Sequence, residues 1–401
     1  MRYYIIAGER SGDLHGSNLI KSLRQYDPQA VVRGFGGDEM KLAGAEIVVH
    51  FEEMAFMGFV RLITNYGTIR RMLKFCKEDI IRFNADAVIL IDYGGFNRRI
   101  AAFTKPRSIK TFYYIPPKIW AWYQSRAKEI KANVDRLFVI LPFEKEFYKK
   151  YDWEVDYVGN PVLDAVKAFN PDPDFRTKNN LTDGKPIVAL LPGSRKMELQ
   201  KIVPLMSELV NQHPAYRFVV AALPDLDPAL YQPLQGKANV SFIQDDTYNL
   251  LHIARAAVVT SGTATLETAL FRVPQVCVYR AGWLEYRIAR MLVKVEWVSL
   301  VNLIGNKAVI SELIQDDATV TGVSGELTNL VNNGSRRAGM LEDYDKIYRI
   351  LDTGSASDNA GRLMVSSTVS SSSSAPFAAS AMFIFAEVRP PWLECASSMM
   401  M

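Results

Sequence analysis

Short apolar runs rich in β-branched and aromatic residues recur through the first half of the chain, at Tyr3–Ala7, Val31–Phe35, Ala87–Ile91, Lys110–Ile115 and Leu137–Leu141. Longer stretches of mixed polarity separate them. A continuous apolar run suits a strand covered on both faces, and an amphipathic connection suits a crossover helix. The pattern therefore predicts βαβ units and a parallel sheet. After a polar stretch from Asn170 to Gly184 the alternation resumes, with strands expected at Ile187–Leu191, Arg217–Ala221, Ala257–Thr260 and Gln275–Tyr279. The boundary is placed there, giving domains at 1–168 and 185–351 and a terminal segment at 352–401. The predicted class is α/β, two doubly wound Rossmann-like domains facing a central cleft, with the active site shared between the halves.

The end of the chain breaks this pattern. Between Ser366 and Ser374 seven of nine residues are serine, a run too polar to offset its own chain entropy by burial. A low-complexity tail outside the packed fold is expected from residue 366, whether a weak anchor or non-native translated sequence.

Composition narrows the partners. With 49% apolar and 22% charged residues the 401-residue chain is globular, and 47 Lys+Arg against 43 Asp+Glu leave only +4, too small an excess to argue for nucleic acid. Cys76, Cys277 and Cys395 are far apart and form no CxxC or Cys/His cluster, which points to a reducing cytoplasm. The N-terminal apolar run is too short for a signal peptide, and the apolar stretch Ala375 to Ala386 is shorter than the roughly 20 residues a spanning helix needs. His15, His50, His213 and His252 have no ligand-spaced partners, and the adjacent pairs Asp245-Asp246 and Asp316-Asp317 diverge. Neither a metal nor another cofactor is expected.

Four turns at the ends of predicted strands could carry chemistry. The first is Gly8-Glu9-Arg10-Ser11-Gly12-Asp13, where a carboxylate beside glycines suits a sugar better than a pyrophosphate. Ser11 and Asp13 also read as helix caps. The second turn follows Ile91: Asp92 sits where a general base is expected, at the carboxyl end of a buried strand, although an Asx-type cap is the alternative. Burial there would lift its pKa and a nearby cation would hold it down. Beyond it, Trp120 and Trp122 could form a platform for a sugar ring or acyl chains, or simply pack. The third turn, Pro192-Gly193-Ser194-Arg195, offers a guanidinium and amides to phosphate oxygens. In the fourth, Ser261-Gly262-Thr263 opens a helix and Glu267 lies one turn deeper, an order matching phosphate above ribose. The stretch 54–74, with Arg70, Arg71 and Lys74, mixes apolar and basic residues as interfacial segments do.

In order along the chain, Ala7-Gly8-Glu9-Arg10-Ser11-Gly12-Asp13, Met57-Gly58-Phe59, Ile91-Asp92 with Phe96-Asn97, Lys118 to Trp122, Leu141-Pro142-Phe143-Glu144, Pro192 to Arg195, Ser261 to Glu267 and Ser299-Leu300-Val301-Asn302-Leu303 resemble the lipid-A-disaccharide synthases. The likeness runs from Met1 to about Val365. It implies a GT-B glycosyltransferase fold and transfer of 2,3-diacylglucosamine from UDP-2,3-diacylglucosamine to 2,3-diacylglucosamine 1-phosphate (lipid X), giving a β-1,6 disaccharide and UDP. Carried over by motif, Asp92 is the general base, Glu9 the acid of the glycine-rich loop, and Arg195, Glu267 and Asn302 belong to the UDP-donor blocks. Gly95 stands where some relatives carry a second aspartate, so Asp92 acts alone, and Pro116 stands where serine is usual. The resemblance also implies peripheral attachment to the inner face of the inner membrane. Relatives end in a helix that packs back, exchanged between subunits in some, so a homodimer is among the arrangements it allows. Two other readings fit the same pattern: a UDP-sugar epimerase, and a non-catalytic membrane-surface binding protein.

Overall fold

The continuous apolar runs become the middle strands of two parallel sheets. Strands β1 (Arg2–Ala7), β2 (Val31–Gly36), β3 (Glu46–His50), β4 (Ala87–Ile91), β5 (Lys110–Tyr114), β6 (Arg136–Val139) and β7 (Asp156–Tyr157) line up as β3-β2-β1-β4-β5-β6-β7. Strands β8 (Ile187–Leu191), β9 (Arg217–Ala222), β10 (Val240–Gln244), β11 (Ala256–Thr260), β12 (Gln275–Tyr279) and β13 (Ser311–Ile314) line up as β10-β9-β8-β11-β12-β13. Every residue of β4, β8 and β11 is buried, as strands covered by helices on both faces must be. This computed structural model describes residues 1–54, 66–282, 286 and 295–372, apart from the side chains at 66 and 369–372. The Met57-Gly58-Phe59 block and most of the tail lie outside the described residues.

Both sheets reverse their winding at an internal pair. In the first, the chain moves outward from β1 to β2 and β3, then returns to β4 on the other side. In the second, β8 and β11 are that pair. At such a point the connections leave toward opposite faces and open a crevice at the carboxyl ends of the strands, where doubly wound sheets take their ligands.

Contacts divide the chain into a first unit, Met1–Pro161 plus the residues from Thr353 onward, and a second unit, Val162–Asp352. The division precedes the polar stretch 170–184, and Phe175 and Leu181 within that stretch are buried in the core of the second unit. The core of the first unit gathers Tyr3, Ile5, Leu19, Leu23, Ile89 and Ile91 together with Ala360, Met364 and Val365 from the far end of the chain.

Packing runs past Ser366, where composition predicts that it stops. Helix Ala356–Ser372 lies on helix Arg10–Tyr26 and touches β5. Asn359 Nδ2 donates to Val158 O at 3.1 Å, and Arg136 reaches both Leu363 O and Ser367 Oγ. The hydroxyls of Ser366, Ser367 and Thr368 turn back onto carbonyls one turn earlier, and Thr368 is buried. Hydroxyls satisfied in this way let a serine-rich stretch extend a helix that Ala360 and Met364 have already anchored. Met364→Ala should destabilise the first unit by about 2–5 kcal/mol in urea unfolding. A change below about 0.5 kcal/mol, typical of surface positions, would show that the helix is not part of that core.

Candidate active site

Ala7 of β1 and Ile91 of β4 are register partners, so the turns leaving them lie side by side at the switch point of the first sheet. Gly8 permits this approach. A Cβ there would stand 2.4 Å from Cγ of the Tyr93 ring, so any larger residue would displace that ring. Asp92 and Tyr93 both adopt left-handed backbone, with φ of 45° and 47°. Such conformations cost roughly 1–3 kcal/mol each and persist only where neighbours impose them. Asn97 imposes this one: its Nδ2 donates to Ile91 O at 3.1 Å and to Asp92 O at 2.8 Å. The Tyr113 hydroxyl donates to the same Asp92 carbonyl at 2.8 Å, and the Asp92 amide donates to Ile115 O at 3.1 Å.

The carboxyl group so positioned is a tuned acid. Burial lifts Asp92 above the ordinary aspartate range, while the Lys118 charge and the Tyr93 amide hold the rise in check. Glu9 is exposed and caps helix Arg10–Tyr26 with extended backbone, its carbonyl accepting from the Asp13 amide at 2.9 Å. The Glu9 charge adds to the rise that burial produces in the Tyr93 phenol, which places the two turns within electrostatic reach of each other.

Other candidates of the first unit have structural roles. Asp13 caps, though not its own helix: its buried carboxylate accepts from the amides of Gly37, Glu39 and Met40 at 2.7, 3.1 and 3.1 Å. Gly12 lies where a Cβ would be 3.2 Å from Ala7 Cβ, seating the helix on β1, and Ser11 is exposed on its first turn. Trp120 is buried edge-to-face on Phe143 at 4.9 Å, so it packs rather than forming a platform. Trp122 is half-buried beneath the Arg126 guanidinium, 5.7 Å from its ring.

In the second unit Leu191 of β8 pairs with Val259 of β11, which brings the Pro192–Arg195 turn beside the Ser261–Thr263 turn. Gly193 has φ +105° and Gly262 has φ +133°, values that favour glycine. Arg195 caps helix Lys196–Gln212, and its side chain is 40% exposed. Gly262 caps helix Thr263–Leu270, with no atom within 4 Å of where its Cβ would stand. Ser261 is half-buried and Thr263 exposed at that helix start. One turn deeper the Tyr248 hydroxyl donates to Glu267 Oε1 at 3.2 Å, and burial raises the Glu267 carboxyl despite that bond.

Asn302, placed by the resemblance in a donor block, lies inside the fold. It is wholly buried, with Nδ2 donating to Ile310 O at 3.0 Å and Glu312 Oε1 at 2.9 Å, while Oδ1 accepts from the Ile310 amide at 2.9 Å. Both amide hydrogens close the 299–312 loop, so Asn302 holds that loop in place.

Sequence reasoning assigned no role to Asn97, Lys118, Glu144, Tyr248 or Glu198. Glu144 is buried in the first turn of helix Phe143–Lys149, which follows β6, and accepts from the Ile140 and Leu141 amides at 3.2 and 2.9 Å. Burial pushes its carboxyl up to about 7 against those amides, the Trp120 indole and the Lys118 charge. Lys118 thus acts on both Glu144 and Asp92. An acid in the short Leu141-Pro142-Phe143-Glu144 segment after an apolar strand was the available signal for Glu144; for Asn97 and Tyr248 the partners come together only in the fold.

Two doubly wound parallel-sheet domains, each gathering its turns at a switch point, describe the two-domain GT-B architecture. In fold, the chain is similar to the UDP-GlcNAc 2-epimerase of Neisseria meningitidis solved bound to UDP-GlcNAc, at TM-score 0.62 and 12% identity over 92% of this chain and all of that one. It is equally similar to the glycotransferase of kitacinnamycin, at TM-score 0.61 and 12% identity over 90% and 98% of the two chains. Residues 3–361 match the lipid-A-disaccharide synthetase family, and the lipid-A-disaccharide synthase of Coxiella burnetii (strain Dugway 5J108-111) is 34% identical over 364 residues, 90% of this chain and 96% of that protein. The chain belongs to the lipid-A-disaccharide synthetase family, a family of glycosyltransferases.

Glu144 makes stability depend on pH with a definite sign. Its folded pKa of about 7 exceeds the ordinary 4.5, so between those values the native state binds the extra proton. The stabilisation is complete below pH 4.5 and is lost as pH rises through 7. Glu144→Gln should therefore gain stability relative to the unmodified chain by on the order of 3 kcal/mol between pH 4.5 and 8, measured by urea unfolding. Parallel pH profiles for the two proteins would count against a raised Glu144.

Proposed function

We propose that this chain is a lipid-A-disaccharide synthase, transferring 2,3-diacylglucosamine from UDP-2,3-diacylglucosamine to lipid X with inversion at the anomeric carbon. The observation that carries the mechanism is Asp92: a partly desolvated carboxyl, its pKa raised, on a backbone pair that Asn97 and Tyr113 hold at the switch point of the first sheet. In this reading Asp92 takes the proton of the acceptor 6-hydroxyl as that oxygen attacks from the face opposite UDP. The raised pKa brings the base nearer the proton affinity of its task. Glu9 orients the acceptor from the neighbouring turn.

The donor lies on the second unit. Its diphosphate meets Arg195, the Ser194 amide and the start of helix Thr263–Leu270, whose dipole favours negative charge. Charge gathers on UDP as the glycosidic bond breaks, and preorganised donors of this kind stabilise it. Glu267, steadied by Tyr248, accepts from the ribose hydroxyls. In this proposal the first unit supplies the base and the acceptor, and the second unit supplies the donor.

Both substrates carry two long acyl chains and stay in a bilayer, at about 0.8 kcal/mol per buried methylene. Among the described residues no helix is long and apolar enough to cross a membrane, so the proposal is attachment at the cytoplasmic surface. Helix Tyr66–Phe83 exposes Arg70, Arg71, Lys74 and Phe75, a basic and aromatic face suited to anionic headgroups. Residues 55–65 of the segment expected to take part lie outside the described residues.

Two measurements test these assignments. UDP release from UDP-2,3-diacylglucosamine in detergent micelles should require lipid X and fall by about 10²–10⁴ in Asp92→Asn, with the fold retained by circular dichroism. In Arg195→Ala it should fall about 10²–10³, with weakened UDP binding. Turnover without lipid X would favour an epimerase or hydrolase, and a folded protein that binds UDP without turnover would favour a non-catalytic role. Replacing Arg70, Arg71 and Lys74 with Glu should weaken binding to anionic vesicles by at least tenfold, given roughly 1 kcal/mol per basic residue near such a surface. Unchanged sedimentation with vesicles would remove this helix from the membrane contact.

A further inference from the structure

The Pro192–Arg195 turn carries an anion of its own. Glu198, three residues into helix Lys196–Gln212, folds back so that Oε2 accepts from the Ser194 amide at 3.2 Å and Oε1 lies 3.5 Å from Arg195 Nη1. The carboxylate lies directly over Gly193, where a Cβ would be 2.5 Å from Oε2. The Glu198 side chain is only 17% exposed. An ordinary capping box would direct a glutamate at this position to the amide of the cap residue itself. Here the carboxylate reaches one residue further and also engages the guanidinium, so one internal anion holds both groups that a diphosphate requires.

We propose that Glu198 is an internal competitor for the diphosphate site, a carboxylate that a nucleoside diphosphate must displace from Ser194 and Arg195 and that takes those groups back as UDP leaves. The Ser194 N–H serves one acceptor well, and two anions crowded at this turn repel each other, so a diphosphate and Glu198 compete for it. The amide bond at 3.2 Å and the ion pair at 3.5 Å, on a part-exposed turn, set a modest displacement cost for the nucleotide. The competition holds donor and product affinity below what the cationic turn alone would give. It acts most on product: as the β-phosphate withdraws, Glu198 offers the vacated donors an immediate partner, and UDP dissociates faster. Glu198 is a positioning residue in this account, acting through Arg195 and the turn.

The inference rests on the reading of this turn as the diphosphate site, and one experiment separates the two. UDP and uridine are titrated calorimetrically into the full chain and its Glu198→Gln, Glu198→Ala and Arg195→Ala variants, and UDP dissociation is followed by stopped flow. Both Glu198 variants should bind UDP roughly three- to tenfold more tightly, mainly through slower dissociation, with a correspondingly lower donor KM. Uridine, which has no phosphate, should bind all Glu198 variants alike. If Glu198 only stabilises the helix start, both variants will bind UDP no better than the unmodified chain, and the proposal fails. If Arg195→Ala leaves UDP binding unchanged, it is the diphosphate reading itself that fails.

Discussion

A parallel sheet has to choose where its winding reverses, and at that place the two neighbouring strands send their connections to opposite faces. The turns at the carboxyl ends of that pair therefore gather at the crevice between those connections. In the first unit the pair is β1 and β4, joined through Ala7 and Ile91; in the second it is β8 and β11, joined through Leu191 and Val259. The Glu9 and Asp92 turns, the Arg195 turn and the Gly262 helix start all lie where these registers put them. Their position is a property of strand order, and their chemistry a property of the few residues that follow each strand.

Burial and charge oppose one another at each carboxyl group of interest. Desolvation is the foremost influence raising Asp92, Glu144 and Glu267, and a different partner moderates each: Lys118 for Asp92, two backbone amides for Glu144, the Tyr248 hydroxyl for Glu267. Environment sets these three acids apart, and Lys118 links two of them. A group intended to take and release a proton needs this balance. A group intended only to cap a helix, such as Asp13 with its three amides, is surrounded by donors instead.

The interior of both sheets was legible because a strand covered on two faces must be apolar throughout. The strands that the pattern missed are β3, β7, β10 and β13, the four edges, each only partly buried and therefore of mixed composition. Asp92 was legible because it follows an unbroken apolar run into a glycine turn. Asp13 looks equally promising as a letter, since a polar residue beside glycine reads the same whether it faces solvent or the amides of a neighbouring segment, as Asp13 does. Trp120 carries the same ambiguity between platform and core. Tyr248, 19 residues before Glu267, and Asn97, under the Asp92 carbonyl, acquire their roles only from contacts made in three dimensions. The serine run misled for a related reason: its hydroxyls bond to their own helix, which composition does not reveal.

The return of the chain to the first unit at Thr353 fixes an order of events during synthesis. The second unit is continuous from Val162 to Asp352, whereas the first lacks Ala360, Met364 and Val365 until nearly 200 residues beyond Pro161 have been made. At ~5–20 residues per second the ribosome takes roughly 10–40 s over that interval. Throughout it, Leu19, Ile20 and Leu23 on helix Arg10–Tyr26 have no cover from the closing helix. The second unit can reach its native state while still attached to the ribosome, and the first must wait for the closing helix. The nascent chain therefore carries a finished second unit before its first unit is sealed, and the interval between them is the period in which a chaperone has an apolar groove to hold.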